Sequence, residues 1–426
     1  TAEGQGQVPA LAAYLAGEFR KGGFPAADVH VLPFTSEGGE AIAGLVVRYR
    51  GNGSPDKKPI LFLAHLDVVD ARREEWTRDP FTLVEEDGYF FGRGTLDNKA
   101  GIAAMVSAIL RMRADGFHPR RTLVFAFVGD EETTFGTTRL IAAHEWASSA
   151  EYAINTDAGG GGLSSDGRPL IYLVQAAEKT YATFRLTARN PGGHSSRPRP
   201  DNAIYDLARA LLRVESHLFP VMATDLSREY FRALAPSIPG ELGRAMRRFA
   251  DDPQDQAAIA LLRREPEFAN KLATTCVATM VDAGHAENAL PQRAEALVNC
   301  RIFPGVEVEQ VRRTLAAVAG DPDIAVETTG EPVVGPVSEL RDDVRAAIAD
   351  SIHRRHPGVA IAPFLAPYGT DGVIYRIAGI PTWGSSGMFI RPEDEFAHGL
   401  DERIPVASFY AGVDHIHDLA LALGGR

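Results

Sequence analysis

Short apolar runs that end in acidic or imidazole side chains, alternating with runs of helical period, constrain this chain most. Up to about residue 177 the strand-like runs are AIAGLVVRYR, PILFLAHLDVV, TLVFAFVG and YAINTDAG. Between them lie the helical stretches AGIAAMVSAILRMRADG and TRLIAAHEWAS. Apolar strands alternating with helices predict a mostly parallel sheet with helices on both faces. His65 closes one run, Glu131 and Glu132 follow another, and Asp157 follows a third, while Asp97 and His398 sit in glycine-marked turns. Ligands of open α/β sheets bind beyond the carboxyl ends of strands. Imidazole mixed with carboxylate there suits hard or borderline divalent metals. The residues alone point to a two-metal hydrolase.

At 426 residues, the chain exceeds the size at which one core stops growing, so two domains are expected. The style changes near residue 178. TYATFRLTARN alternates like a half-buried strand, NAIYDLARALLRVESHL has helical period, and TCVATMVDAG and AEALVNCRIFPG read as strands. VEVEQVRRTLAAVAG is a further helix and IAVETTG closes the set. The expected organisation is an α/β domain over 1–177 and 331–426, interrupted over 178–330 by a smaller α+β domain with a mostly antiparallel sheet. Residues 220–272, polar and helical with several prolines, read as an extra segment within that insertion. It could cover the cleft, replace contacts of a partner subunit, or support a dimer.

A net charge of −12 with no basic stripe argues against nucleic acid as a partner. No apolar run approaches the ~20 residues needed to cross a bilayer, so no membrane partner is expected. Cys276 and Cys300 are too few for a disulfide framework or a thiolate metal site. They would pair only if their strands were neighbours, and two packed free thiols are the expectation. The sequence starts at Thr1 without a methionine. A soluble protein is expected, with the compartment open between the cytoplasm and export after loss of a signal peptide.

The runs, taken in order, resemble the M20 metallopeptidases, the clan of aminoacylases, glutamate carboxypeptidase, carboxypeptidase S and dipeptidases. The resemblance rests on HLDVVD at 65–70, GRGTLDNKAG at 92–101, GDEETTFGT at 129–137, the Asp157 turn and NPGGHSS at 190–196. It continues through NALPQRAEALVNCRIFPG at 288–305, YGTDG at 368–372 and AHGLDERI at 397–404. It implies that His65 and Asp157 bind one ion, that His398 binds the other, that Glu132 binds a metal, and that Asp97 bridges the two ions with its two oxygens, its carboxylate turned toward them by a cis peptide bond to Asn98. Zn²⁺ is the first expectation, with Co²⁺ or Mn²⁺ also suited. Asp67, two residues beyond His65 on the same side of an extended segment, can take the other ring proton. Glu131 would be the general base that takes a proton from the attacking water and hands it to the leaving amine.

By the same resemblance, His194 would stabilise the oxyanion, often from a partner subunit, and Arg301 would hold a substrate carboxylate. Asn288, Asn299, Thr370 and Asp371 would assist. The residues also allow plainer readings: Asp97 as a helix N-cap, Glu131 and Glu132 as a solvated turn, and Glu402 as a support for the metal ligands or an ordinary surface acid. His415 and His417, in the last amphipathic helix, read as structural. The implied substrate is a small peptide or N-acyl amino acid with a free carboxylate, and a homodimer through the inserted domain is implied as well. The alternatives are an aminopeptidase or dipeptidase that recognises a free amine, for which the acid at Asp157 speaks, and a non-catalytic binding relative.

Overall fold

The central strands are apolar on both sides because both of their faces are covered. In the strand Ile60–His65, Ile60, Phe62 and Ala64 join one core while Leu61 and Leu63 join another. The strand Leu123–Val128 divides the same way, with Leu123, Phe125 and Phe127 on one side and Val124, Ala126 and Val128 on the other. This is the two-residue period of a strand, and it turns a doubly covered strand into an unbroken apolar run. The protein is seen here as a computed structural model that describes residues 1–2, 4–53 and 57–425.

Helices Val8–Lys21, Lys99–Ala114, Asp342–Arg355 and Val406–Gly424 bury their stripes in the first core. Gly136–Ala142, Glu145–Ser148 and Gly372–Ile377 cover the other face. TRLIAAHEWAS is two helices and not one. His144 between them is extended (φ −65°, ψ 136°), and its ring accepts the Trp146 N–H. Among the described residues the main sheet has ten strands. From one edge they run Val29–Thr35, Ala41–Tyr49, Leu123–Val128, Ile60–His65, Tyr152–Asn155, Thr382–Gly384, Pro169–Glu178, Gly160–Leu163 and Phe389–Ile390, with Ile361–Ala366 also paired to Pro169–Glu178. Its centre is parallel, and Ile60–His65 lies between two parallel neighbours. His65 ends one strand of this centre, and the loops carrying Glu132 and Asp157 follow two others.

A second sheet of four antiparallel strands runs Thr275–Ala283, Arg293–Ile302, Thr180–Arg189 and Ala325–Thr329. Along Arg293–Ile302, Ala294, Ala296, Val298, Cys300 and Ile302 point into a core closed by helices Ala203–Ser216 and Val308–Ala319. The alternate residues lie on the other face, where Asn299 and Arg301 are half-exposed. The expectation of two free thiols is corrected here. Cys276 and Cys300 stand directly opposite each other in the antiparallel ladder, 4.1 Å apart at Cα, and form a disulfide. Neither residue's neighbours in sequence reveal that register.

The helices of the 220–272 segment pack away from the second sheet. Tyr230, Phe231, Met246, Phe249, Leu262, Phe268 and Leu272 share a core with Ile171, Ala362 and Phe364 of the main sheet. The segment is inserted within one unit in sequence and anchored on the other in space. No described helix is long and apolar enough to cross a membrane.

Candidate metal centre

His65 is the last residue of its strand and fully buried. Its Nε2 lies 2.8 Å from Asp97 Oδ1 and 3.2 Å from Asp157 Oδ1. The second Asp97 oxygen, Oδ2, lies 3.1 Å from His398 Nε2, which is also 3.1 Å from Glu132 Oε2. One carboxylate thus stands between two imidazoles, each with its own further acid. His65, Asp97 and Glu132, and likewise His65, Glu131 and Asp157, bring ligand atoms within 4.8 Å of one another. Two atoms each 2.0–2.2 Å from a tetrahedral zinc ion lie roughly 3.3–3.6 Å apart. The observed contacts need to open only slightly to admit cations, so the donor set fits a pair of divalent ions.

The electrostatics agree. Desolvation pushes the Asp157 carboxyl up to about 6 against the pull of His65, with Asp97 adding to the rise. Glu131 is held well above the carboxylate range by desolvation and then by Asp157. His65 is raised despite burial because Asp157, Asp67 and Asp97 surround it, and His398 is raised to about 10 by its bonds to Asp97 and Glu132. Crowded, desolvated acids and raised imidazoles are the signature of a site whose charge bound cations would balance.

The candidate ligands sit on a framework of buried acceptors. The Asp97–Asn98 peptide is cis. Asn98 begins the helix, so Asp97 is not its cap, and Asn98 Nδ2 donates to Asp157 Oδ1 at 2.8 Å. Glu402, fully buried, accepts from the backbone N–H groups of Gly94 (3.0 Å), Leu96 (2.7 Å) and Asp97 (3.0 Å) and from Arg93 (2.7 Å). It is a support for Asp97 and not a surface acid. Arg93 also donates to the His398 carbonyl at 3.4 Å. His398 itself takes a left-handed φ of +62°, uncommon for a non-glycine residue. The Asp67 carboxylate accepts from Glu131 N (3.1 Å) and Glu132 N (2.9 Å), while His65 Nδ1 sits 3.1 Å from the Asp67 carbonyl and 3.5 Å from its carboxylate. The main-chain carbonyl is therefore the nearer partner of the ring, a difference from the side-chain pairing expected.

Comparison with known proteins follows the same line. The family model for peptidase family M20/M25/M40 matches residues 61–422. The chain belongs to that family. It is 27% identical over 375 residues to a human N-fatty-acyl-amino acid synthase/hydrolase, covering 86% of this chain and 74% of that one. It is 26% identical over 403 residues to a carboxypeptidase S-like protein of Dictyostelium discoideum, covering 89% and 74%. Among solved structures, an M20 family metallo-carboxypeptidase of Sulfolobus solfataricus superposes with a TM-score of 0.69 at 19% identity, covering 97% of this chain and 93% of that one. Family membership makes the chain an M20 hydrolase, and the structural likeness speaks for the fold.

The M20 motifs outside the centre are placed unevenly. His194 is exposed, in a two-residue strand opposite Ala289, and its Nδ1 lies 2.8 Å from Ser196 Oγ; no contact joins it to the metal-ligand cluster among the described residues. Arg301 stacks over the Tyr181 ring at 4.7 Å. Asn299 donates to Thr183 Oγ1 at 3.0 Å, and Asn288 is exposed. Thr370 is buried and committed, since its N–H and hydroxyl both bond Glu178 (2.9 and 2.7 Å). Asp371 accepts from Asn155 Nδ2 at 2.7 Å, and Asn155 Oδ1 accepts the Asp157 N–H at 3.0 Å. His415 is buried between Ser351 and Ser385 with its pKa lowered to about 3 by burial, and His417 is buried too. Asp130 escaped the sequence reading. It accepts from the N–H groups of Gly136 (2.6 Å) and Thr137 (2.8 Å), which closes the loop that presents Glu131 and Glu132. Its place at the head of GDEE was the available signal.

Proposed function

We propose that the chain is a two-metal amidohydrolase that cleaves the amide bond of a small peptide or N-acyl amino acid bearing a free carboxylate. The observation that carries the reading is Asp97, with one oxygen beside His65 and the other beside His398. His65, Asp97 and Asp157 would hold one ion and Asp97, Glu132 and His398 the other. Zn²⁺ suits one imidazole per ion with carboxylates, and Co²⁺ or Mn²⁺ suits the same set. The pair would supply Lewis acidity toward the scissile carbonyl and acidify the attacking water.

Glu131 then acts as the base: with cations in place its carboxylate takes a proton from the attacking water and returns it to the leaving amine. Asp67 fixes the backbone of Glu131 and Glu132 and keeps His65 oriented. Arg301, whose guanidinium hydrogen-bonds to no described residue, receives the substrate carboxylate, and Asn288 and Asn299 assist. His194 serves the oxyanion after movement of its unit or from a second copy. Thr370 we assign to holding Glu178 instead of substrate.

Residues 178–330 form the moving and dimerising unit in this reading. The edge strand Thr275–Ala283 leaves Val277, Met280 and Val281 more than 60% exposed, the kind of apolar edge that pairs with another chain. A Met280→Lys, Val281→Lys protein that sediments like the parent would remove that interface.

The test of the reaction is a paired panel, free dipeptides against N-acyl amino acids, with Zn²⁺-loaded parent and Glu131→Ala proteins. Cleavage of one class by the parent, with two ions retained and activity lost in the variant, supports the reading and names the class. An active Glu131→Ala protein would refute the base assignment.

A further inference from the structure

Three cations converge at one end of the second sheet, and none is in ion-pair contact with a carboxylate among the described residues. The strands Thr180–Arg189 and Thr275–Ala283 begin there and Arg293–Ile302 ends there, so Tyr181 and Thr275 both stand opposite Arg301. Lys179, 2% exposed, donates to the Ala273 carbonyl at 2.5 Å and lies 5.6 Å from the Phe303 ring centre. Lys271, two residues before Ala273, holds its ammonium 5.4 Å from the Tyr230 ring and 5.7 Å from Phe364, and that ammonium hydrogen-bonds to no described residue. Arg301 completes the group over Tyr181.

Lys179 feels both of the other charges. Burial, then Lys271 and Arg301, brings the Lys179 ammonium down to about 7. The acids that face Lys271 are Glu267 and Glu395, which only partly offset the lowering by burial. Unpaired cations in desolvated surroundings are costly unless an anion completes them. Their anchoring also matters: Leu272 and Phe268 fix Lys271 to the main-sheet side, whereas Arg301 rides on the second sheet.

We propose that Lys179, Lys271 and Arg301 form a specificity subsite for a dicarboxylate, so that the preferred leaving amino acid is acidic. Arg301 takes the α-carboxylate and Lys271 the side-chain carboxylate, while buried Lys179 lends positive potential from behind. The 220–272 segment thereby contributes a substrate contact from the same chain. This rests on the reading above that Arg301 faces a substrate carboxylate.

The experiment compares N-acetyl-glutamate with N-acetyl-glutamine, which differ in charge and barely in shape. Calorimetry on metal-loaded Glu131→Gln protein gives binding without turnover, and turnover of both compounds is followed with the parent. The acid should bind about tenfold tighter or more, the scale of a charge-assisted hydrogen bond. Lys271→Met should erase that preference and leave N-acetyl-glutamine binding within about twofold, and Lys271→Arg should restore it. Equal binding of the two compounds, or a preference that survives both Lys271→Met and Lys179→Met, would overturn the subsite. A preference in binding without hydrolysis of either compound would keep the subsite and remove the hydrolase reading. Hydrolysis without preference would do the reverse.

Discussion

Replacing Glu402 by glutamine tests whether the metal centre is held by a buried charge. Glu402 and Arg93 have side chains 0% and 3% exposed and meet at 2.7 Å. The same carboxylate takes three backbone N–H groups from the loop that ends in Asp97. Glutamine keeps the shape, but it leaves the guanidinium without its counter-charge and turns one acceptor oxygen into an NH₂ facing donors. Removing one partner of a buried pair costs about 3–5 kcal/mol, against a total stability of order 5–15 kcal/mol. The metal-free variant should therefore lose about 3 kcal/mol or more in urea unfolding yet remain folded at low urea. Because the loop carries Asp97 and Arg93 also holds the His398 carbonyl, metal retention against a chelator should fall roughly 10–100-fold. A variant within about 1 kcal/mol of the parent, with unchanged metal retention, would refute the claim that Glu402 organises the centre.

Stability should respond to pH in opposite senses with and without metal. His65 and His398 are raised by their carboxylate neighbours, so their contribution to the metal-free fold is complete below about 6.5 and is lost as pH rises toward the folded value, about 10 for His398. Asp157 and Glu131, raised by desolvation, likewise favour the fold at low pH, and Asp157 loses that contribution by about pH 6. Melting of chelator-treated protein should thus fall from pH 6 to 9, while Zn²⁺-loaded protein gains over the same range because its ligands must be deprotonated; parallel trends would contradict this. The Cys276–Cys300 bridge spans 24 residues of sequence, so its loss through Cys276→Ser, Cys300→Ser should cost about 3 kcal/mol on the chain-entropy model. Intact mass without reductant should show no free thiol, and two alkylated cysteines would refute the bridge.

What the sequence disclosed divides along a physical line. A strand that buries both faces must be apolar throughout, so Ile60–His65 and Leu123–Val128 were visible, and so were the acids just beyond them. The His65–Asp67 spacing and the Asp97–Asn98 turn were equally local. Glu402 was not, because its four donors lie some three hundred residues earlier and nothing in LDERI distinguishes a buried acid from a solvated one. The disulfide depended on which strands pair and in what register, which apolar alternation along each strand leaves undetermined. The helices over 225–269 show apolar stripes that say they are buried, not which sheet buries them. Their packing on Ile171 and Phe364 is a tertiary fact.

The polar network behind Asp157 shows why such facts matter to the chemistry. Glu178, the last residue of a main-sheet strand, pairs with Arg376 at 2.7 Å, both essentially buried, and receives Thr370 twice. Thr370 adjoins Asp371, which holds Asn155, which in turn holds the Asp157 N–H. Lys179 and the first strand of the second sheet follow Glu178 directly. A buried ion pair of this kind adds little net stability over an apolar substitute, so stability does not explain it. Geometry does: one set of directional bonds fixes both the loop that presents a metal ligand and the residue at which the chain leaves for the second sheet. The candidate centre and the mounting of Arg301 are thereby referred to the same buried frame, which in the proposed reading would let substrate groups on the second sheet be aimed at the metal site.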